Sequence, residues 1–240
     1  MKKWKLGSLF IVVTLSTYFI ASQVTSKPTP RNFDSVVLSN SPEVRLYKNF
    51  LSPRETQELI ALAKTRLVDS HVWRKGKDVR AEDTRSSSSA HFYKSENKII
   101  KKIEKQACAI VGCDVSQVEP IQIVHYTKDQ KYVPHYDYFS EEDMNLSDSG
   151  QRLHTFLVYL NDLEDQDGGK TTFPKLDISV KPEQGMALYF RDANQFGQVD
   201  PLTLHGGDVI QRDNVEKWAC NVWIRQKAVP KSFQIPMPND

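Results

Sequence analysis

The feature that most constrains this chain is the tripeptide His135-Tyr136-Asp137, which lies in a run of alternating apolar and aromatic residues. In a β-strand, residues two apart point to the same face, so this spacing places an imidazole beside a carboxylate and turns Tyr136 away. Two ligands leave most of a metal ion's coordination sphere empty, and His205, much later in the chain, can supply a third. Two histidines and one carboxylate on one face suit non-heme Fe(II), with open positions for substrate and oxygen. The sequence therefore predicts a metal site formed by His135, Asp137 and His205.

The N-terminus predicts a membrane-associated segment. Lys2, Lys3 and Lys5 precede an uncharged run, residues 6–26, which is long enough to span a bilayer as a helix. We expect residues 1–26 to form an uncleaved signal anchor with its lysines on the cytoplasmic side. A cleaved signal peptide is the alternative, because it begins with the same basic and apolar pattern. Either interpretation puts the remaining chain in the secretory pathway, and a type II protein of the endoplasmic reticulum membrane is the specific expectation.

Beyond this segment, residues 27–42 are polar, contain proline and lack periodicity, which is typical of a stalk. The folded domain is predicted over residues 43–240. The net charge is only +2, which argues against a nucleic-acid partner. The three cysteines, Cys108, Cys113 and Cys220, form no C-x-x-C pair and argue against structural zinc, while their redox state stays open. The oligomeric state is also open, and a monomer is compatible with the sequence.

The pattern within the domain changes from helical to strand-like. Ser52-Pro53-Arg54-Glu55 combines an N-cap serine, a proline at the first helical position and a capping-box glutamate. A second helix is predicted over residues 96–111 from apolar residues at helical spacing. Strands are predicted at Val44–Tyr47, Ile121–His125, Lys131–Phe139, Arg152–Leu160, Gly185–Phe190, Asp200–Leu204 and Lys217–Arg225. We therefore expect a mainly β domain, a sandwich or barrel, with flanking helices.

Two connections are distinctive in composition, and the first is long enough to be disordered or functional. The first, residues 73–90, is polar and basic, and the second, residues 141–150, is acidic. Asn145 in the acidic loop begins a glycosylation sequon, which is usable only in a secretory lumen.

The last predicted strand has two different faces. Residues 218, 220, 222 and 224 are apolar and would face the core, whereas Lys217 shares the other face with polar neighbours. A lysine there is either a solvated strand-end residue or part of a pocket, and spacing alone does not decide between them.

Several longer segments resemble one enzyme family. They are Pro120–Tyr126, Gln130–Phe139, Arg152–Asp162, Gly168–Pro174, Leu204–Gly207 and Lys217–Trp223. In this order they resemble the 2-oxoglutarate- and Fe(II)-dependent prolyl 4-hydroxylases, especially the compact single-domain forms of algae and their viruses. The resemblance spans Val44 to Arg225, and it implies a double-stranded β-helix, or jelly roll.

The resemblance also implies roles for individual residues. His135, Asp137 and His205 correspond to the iron ligands. Lys217 corresponds to the lysine that pairs with the distal carboxylate of 2-oxoglutarate, and Tyr126 and Thr155 correspond to hydroxyls that hydrogen-bond the same co-substrate. The positions that contact the peptide in relatives are occupied here by Arg85, Ser87, Glu119, Gln122, Tyr132 and Trp223.

The sequence departs from the family pattern in two places. An insertion lengthens the turn between His205 and Lys217, which leaves Arg212 as a possible substitute for the lysine. Arg225 occupies a position where relatives often carry a histidine that touches the peptide, so the preferred substrate is less certain than the reaction.

The implied reaction is hydroxylation of peptidyl proline at carbon 4, in proline-rich or collagen-like chains. It consumes 2-oxoglutarate and O2, releases succinate and CO2, and in this family depends on L-ascorbate. Two alternatives remain at this stage. A lysyl hydroxylase shares the jelly roll and the triad but is expected to use an arginine against the co-substrate, and a non-catalytic module could bind proline-rich chains with an empty metal site.

Overall fold

The computed structural model describes residues 34–74, 77–79, 84–141 and 148–230, with no side-chain description for residues 72–83. The predicted anchor, residues 1–26, and the sequon at Asn145 lie outside the described residues. Among the described residues, no helix is both long enough and apolar enough to cross a membrane.

The domain is built from antiparallel strands in two principal sheets. In chain order the strands are β1 Ser35–Asn40, β2 Glu43–Tyr47, β3 Val68–Asp69, β4 Val72–Arg74, β5 Lys77–Val79, β6 Ser88–Phe92, β7 Ile121–Tyr126, β8 Tyr132–His135, β9 Arg152–Tyr159, β10 Thr171–Phe173, β11 Ile178–Val180, β12 Ala187–Arg191, β13 His205–Gly207 and β14 Lys217–Arg225. The larger sheet has the order β1-β2-β12-β9-β14-β7-β6-β3, and the smaller has the order β11-β10-β13-β8. β4 and β5 form a separate hairpin.

Two helices cover the outer face of the larger sheet. Helix α1, Pro53–Lys64, begins with the predicted capping box, in which Ser52 and Glu55 satisfy each other's backbone N–H groups. Helix α2, Lys98–Val111, is capped by Asn97 and ends at Gly112, whose positive φ of 76° suits the left-handed C-cap.

Each face of β14 belongs to a different hydrophobic cluster. Trp218, Cys220 and Val222 pack with apolar residues of α1 and α2, whereas Ala219 belongs to the cluster between the two sheets. The odd-numbered face of β14, which begins at Lys217, therefore looks into the interior of the jelly roll. This face, with the smaller sheet opposite, encloses the candidate site.

The predicted mainly β fold with flanking helices matches this architecture, with several local differences. The strand predicted over Lys131–Phe139 ends at His135, so Asp137 lies beyond it. Ser35–Asn40, assigned from sequence to the stalk, forms an edge strand that pairs with β2. Within the predicted strand 200–204, Pro201–Thr203 is a 3-10 turn because Asp200 caps it, and the strand begins only at His205. The long connection 73–90 contains strand residues of β4, β5 and β6.

Candidate active site

The metal triad assembles where β8 and β13 pair. His135 is the last residue of β8, Asp137 lies two residues beyond it, and His205 opens β13 in register with His135. The Nε2 atom of His135 lies 3.6 Å from Asp137 Oδ1, and that of His205 lies 3.7 Å from Asp137 Oδ2. One donor atom from each of the three residues lies within 4.8 Å of the others, which is close enough to share one ion.

Backbone carbonyls fix the orientation of both imidazoles. The Nδ1 atom of His135 lies 2.9 Å from the carbonyl oxygen of Val133, and that of His205 lies 2.9 Å from the carbonyl oxygen of Thr203. A carbonyl only accepts, so each Nδ1 carries a hydrogen and each Nε2 is the ring nitrogen left for a metal ion. Burial, together with the neighbouring His135, lowers the pKa of His205 to about 4 despite the nearby Asp137. His205 is therefore neutral at physiological pH, as a metal ligand must be.

Asp137 is held as an anion. Burial alone would raise its pKa, but His205, His135 and Arg152 together keep that pKa below its usual range. Its Oδ2 atom lies 3.0 Å from Trp223 Nε1, which donates to it, and 3.0 Å from Thr155 Oγ1. Two imidazoles oriented by backbone carbonyls and a fixed carboxylate fit the donor set that Fe(II) takes in facial-triad enzymes.

Lys217 is a buried cation on the same inner surface. Burial lowers its pKa to about 8, although Asp208 partly offsets the effect. Among the described residues no carboxylate lies within salt-bridge distance of its Nζ, which instead lies 5.7 Å from the ring centroid of Tyr126 and 5.9 Å from that of Tyr159. A Cβ placed on Gly207 would lie 3.7 Å from this Nζ, so the ammonium approaches β13 two residues beyond His205.

The position of Lys217 bears on the insertion noted in the sequence. Arg212, the possible substitute, places its side chain outward, where Nη1 donates to Asp167 Oδ1 at 3.0 Å. Its side chain is 56% exposed, against a residue exposure of 4% for Lys217. The lysine is thus the cation of this pair that lies inside the site.

Thr155, predicted to bind the co-substrate beside Lys217, lies at the other end of the site. It pairs with Trp223 on β14, whereas Lys217 pairs with Tyr126. Trp223 and Lys217 are six positions apart along β14, which corresponds to about 20 Å at ~3.3 Å per residue. Its hydroxyl contacts carboxyl groups, Asp137 at 3.0 Å and Asp192 at 2.8 Å.

The predicted Tyr126 lies near Lys217, but two further residues with hydroxyls there were missed by the sequence analysis. The Tyr159 hydroxyl donates to Thr171 Oγ1 at 2.9 Å, and both residues are buried. Thr171 lies on β10 directly opposite Gly207. Thr171 lies in the segment Gly168–Pro174, which was part of the family resemblance. Only the pairing of β10 with β13 shows that Thr171, and not Thr155, lies near Lys217.

The residues predicted to contact peptide line an aromatic and polar wall beside the triad. Tyr132 stacks on His135 with ring centroids 3.5 Å apart, and the Arg85 guanidinium lies 4.9 Å from the Tyr132 ring centroid. Arg85 Nη2 donates to Gln122 Oε1 at 3.0 Å, and its Nε donates to Ser87 Oγ at 3.1 Å. The structure brings these four predicted peptide-contact side chains together next to the metal site.

Glu119 and Arg225 form the far part of this wall with a residue that the sequence analysis missed, Arg152. Arg152 makes a bidentate pair with Glu119 at 2.8 Å, and Arg225 Nη1 reaches the same carboxylate at 2.9 Å. Burial opposes ionisation of Glu119, yet the two arginines keep its pKa below the usual range. The Arg152 guanidinium lies 3.9 Å from the Trp223 ring centroid, so this ion cluster supports the aromatic wall.

Comparisons with known proteins agree with this geometry. Residues 121–225 match the family model of the 2OG-Fe(II) oxygenase superfamily. The chain is 38% identical over 211 residues to "Probable prolyl 4-hydroxylase 3" of Arabidopsis thaliana, an alignment that covers 78% of this chain and 71% of the relative. It is also 37% identical over 214 residues to "Prolyl 4-hydroxylase 1" of the same plant, covering 82% and 74%.

A solved structure shows the same fold. The viral collagen prolyl hydroxylase of Paramecium Bursaria Chlorella virus-1, in complex with 2-oxoglutarate, superposes with a TM-score of 0.61 at 29% identity and covers 78% of this chain and 96% of that chain. The predicted jelly roll is confirmed, and the fold and triad define a 2-oxoglutarate- and Fe(II)-dependent oxygenase that uses O2. Within that class, the chain belongs to the prolyl 4-hydroxylase family.

Proposed function

We propose that this protein hydroxylates peptidyl proline at carbon 4 in proline-rich or collagen-like chains, with 2-oxoglutarate and O2 converted to succinate and CO2. The observation that carries the proposal is the pairing of two features inside one jelly roll: the triad of His135, Asp137 and His205, and the buried Lys217 without a carboxylate partner among the described residues. A dicarboxylate can chelate a metal held by the triad with one end and neutralise Lys217 with the other.

The charge of Lys217 supports the proposed position of the co-substrate. A buried ammonium without an anion is costly, and the distal carboxylate of 2-oxoglutarate would supply that anion to Lys217. Tyr126 and Tyr159 would exclude water from this ion pair, since their rings flank the Nζ. When bound, Fe(II) supplies the O2 activation that couples decarboxylation of the keto acid to oxidation of the substrate C–H bond.

Aromatic side chains beside the triad support the proposed position of the peptide. Proline-rich chains favour an extended left-handed helix that is already formed, and aromatic-lined grooves bind it at little entropic cost. Tyr132 and Trp223 offer such surfaces beside the triad, and both remain partly exposed. Arg85, Ser87, Gln122 and the Glu119–Arg225 pair stay the proposed polar contacts. The long connections at residues 73–90 and 141–150 are proposed to border this groove.

The two rival interpretations are less well supported. A lysyl hydroxylase is expected to use arginine against the co-substrate, whereas the buried cation is Lys217 and Arg212 lies outside. A non-catalytic binder has no need of three metal-ligand side chains with oriented lone pairs.

Three further features belong to the same proposal. We propose that L-ascorbate supports turnover, as the family resemblance implies. We also propose that residues 1–26 anchor the protein with its catalytic domain, residues 43–240 extended to include β1, in the lumen of the endoplasmic reticulum. Protease protection in sealed microsomes would report the side, and digestion of the catalytic domain without detergent would contradict a luminal position.

The activity is tested by succinate release in the presence of Fe(II) and ascorbate, with and without poly-proline. We expect the peptide to stimulate release in the wild-type protein. His135→Ala and His205→Ala should reduce it to background while circular dichroism stays unchanged. Near-normal activity of either folded variant, with unaltered iron dependence, would remove that residue from the site.

A further inference from the structure

A second carboxyl group lies behind the metal ligand Asp137. Asp192 follows β12 directly and is fully buried, and its backbone N–H donates to the carbonyl oxygen of Leu153 at 2.9 Å. The Thr155 hydroxyl lies between the two carboxyl groups, 2.8 Å from Asp192 Oδ2 and 3.0 Å from Asp137 Oδ2. These three side chains form a continuous row that ends at the triad.

The hydrogen count of this row is decisive. A threonine hydroxyl carries one hydrogen and can donate to only one of the two carboxyl oxygens. If both carboxyl groups were ionised, one short oxygen–oxygen contact would have no hydrogen between its atoms. Asp137 must be ionised to bind a metal, so the hydrogen missing from the row belongs to Asp192.

The surroundings of Asp192 favour the same protonation state. Its other oxygen, Oδ1, is buried and has no hydrogen-bond partner among the described residues, which is far more costly for a carboxylate than for a neutral acid. Burial, followed by the charge of Asp137, raises the pKa of Asp192 well above the usual value, although the hydrogen bond with Thr155 and the charge of Arg152 act in the opposite direction.

We infer that Asp192 is a neutral carboxylic acid that donates to Thr155, so that Thr155 donates to Asp137 Oδ2. Trp223 Nε1 donates to the same oxygen at 3.0 Å. With Oδ2 accepting two hydrogen bonds, Oδ1 is the oxygen left for a metal ion. Asp192 is therefore a positioning residue, which fixes the direction of the Thr155 hydroxyl and, through it, the orientation of the ligand carboxylate.

Two nearly isosteric substitutions separate the functions of Asp192. Asp192→Asn keeps a neutral hydrogen-bond donor, whereas Asp192→Leu removes it. In titrations with Co(II) alone, followed by its visible absorption, we expect Asp192→Asn to bind within about threefold of wild type. We expect Asp192→Leu to weaken binding by about 10–100-fold, the range typical of residues that orient metal ligands.

Infrared spectroscopy reports the proton directly, and the wild-type spectrum alone can contradict the inference. Wild-type protein at pH 7 should show the stretching band of a buried, protonated carboxyl group. This band should be absent from Asp192→Asn and retained in Asp167→Asn, a matched control in which the buried carboxyl pairs with Arg212 instead.

Three outcomes would overturn the inference. The wild-type protein could lack the protonated-carboxyl band, Asp192→Asn could lose Co(II) affinity as severely as Asp192→Leu, or Asp192→Leu could bind Co(II) as wild type does. The inference rests on the metal site of the proposed function. Because it is tested with metal alone and by infrared, its failure is distinguishable from failure of the peptide chemistry.

Discussion

Three cations on the inner surface, Arg152, Arg225 and Lys217, are neutralised differently. Arg152 and Arg225 share the carboxylate of Glu119 at 2.8–2.9 Å, so their charges are largely satisfied within the fold. Lys217 is equally buried, but among the described residues it has no carboxylate within salt-bridge distance, and its pKa falls to about 8. The difference indicates that the arginines support the wall of the site, whereas Lys217, under the proposed function, meets its anion only when the co-substrate binds.

The largest effect on stability should come from removing the Glu119 carboxylate that Arg152 and Arg225 share. Glu119→Gln would leave two buried guanidinium groups without their anion, and removal of one partner from a buried ion pair costs about 3–5 kcal/mol. The free energy of unfolding, measured by chemical denaturation, should fall by that order. Asp213→Asn is the control, because it breaks the exposed pair with Lys128 and should leave the unfolding midpoint unchanged. Equal midpoints for both variants would contradict a structural role for the Glu119 cluster.

The next largest effect is expected at Lys217 and concerns the 2-oxoglutarate requirement. If Lys217 neutralises the distal carboxylate, Lys217→Ala removes a charge-assisted hydrogen bond worth about 1.5–3 kcal/mol. The 2-oxoglutarate requirement should then rise by roughly tenfold to over a hundredfold, while Fe(II) affinity stays unchanged. Kinetic titrations of co-substrate and metal measure the two quantities separately. An increased Fe(II) requirement with an unchanged 2-oxoglutarate requirement would show that Lys217 supports the metal and not the co-substrate.

A smaller effect follows from the lowered pKa of Lys217. Because the ligand-free lysine titrates near pH 8, its cationic form is lost as pH rises above that value. The 2-oxoglutarate KM should therefore increase above pH 8, approaching about tenfold per pH unit. In Lys217→Arg the guanidinium stays charged, so the KM, whatever its baseline, should not share this rise. A wild-type KM that is flat from pH 7 to pH 9 would disagree with a buried lysine that needs its charge.

The smallest effect is expected at Arg212. Its guanidinium is mostly exposed and pairs with Asp167, so Arg212→Ala should change the 2-oxoglutarate KM by less than about twofold, as surface ion pairs contribute little. The same assay as for Lys217→Ala measures it. A large increase for Arg212→Ala with none for Lys217→Ala would show that the insertion has transferred the role to the arginine.

The metal site and the main strands could be predicted because their signals are local. His135 and Asp137 are two residues apart, and although β8 ends at His135, this short spacing leaves His135 Nε2 only 3.6 Å from Asp137 Oδ1. The alternation in Lys217–Arg225 likewise gave the correct bounds and the correct buried face of β14. These features depend on spacing within one segment, which a sequence displays directly.

The remaining parts of the site depend on register between distant strands. Arg152, Tyr159 and Asp192 acquire their contacts only when β9 lies between β12 and β14, and no local pattern fixes that arrangement. Thr155 was assigned to the co-substrate for the same reason, since sequence cannot distinguish it from Thr171. The edge strand β1 escaped detection because Ser35–Asn40 is largely exposed and lacks a buried apolar face.

The central claim is tested most directly by locating the oxygen that the enzyme adds. Wild-type protein and His205→Ala would be incubated with Fe(II), 2-oxoglutarate, ascorbate and two peptides, one proline-rich and one collagen-like with lysine. The products would be sequenced by mass spectrometry, and the hydroxyproline isomer identified by amino-acid analysis. The account predicts 4-hydroxyproline with the wild-type protein and none with His205→Ala. Hydroxylysine in the collagen-like peptide, with every proline unmodified, would contradict it.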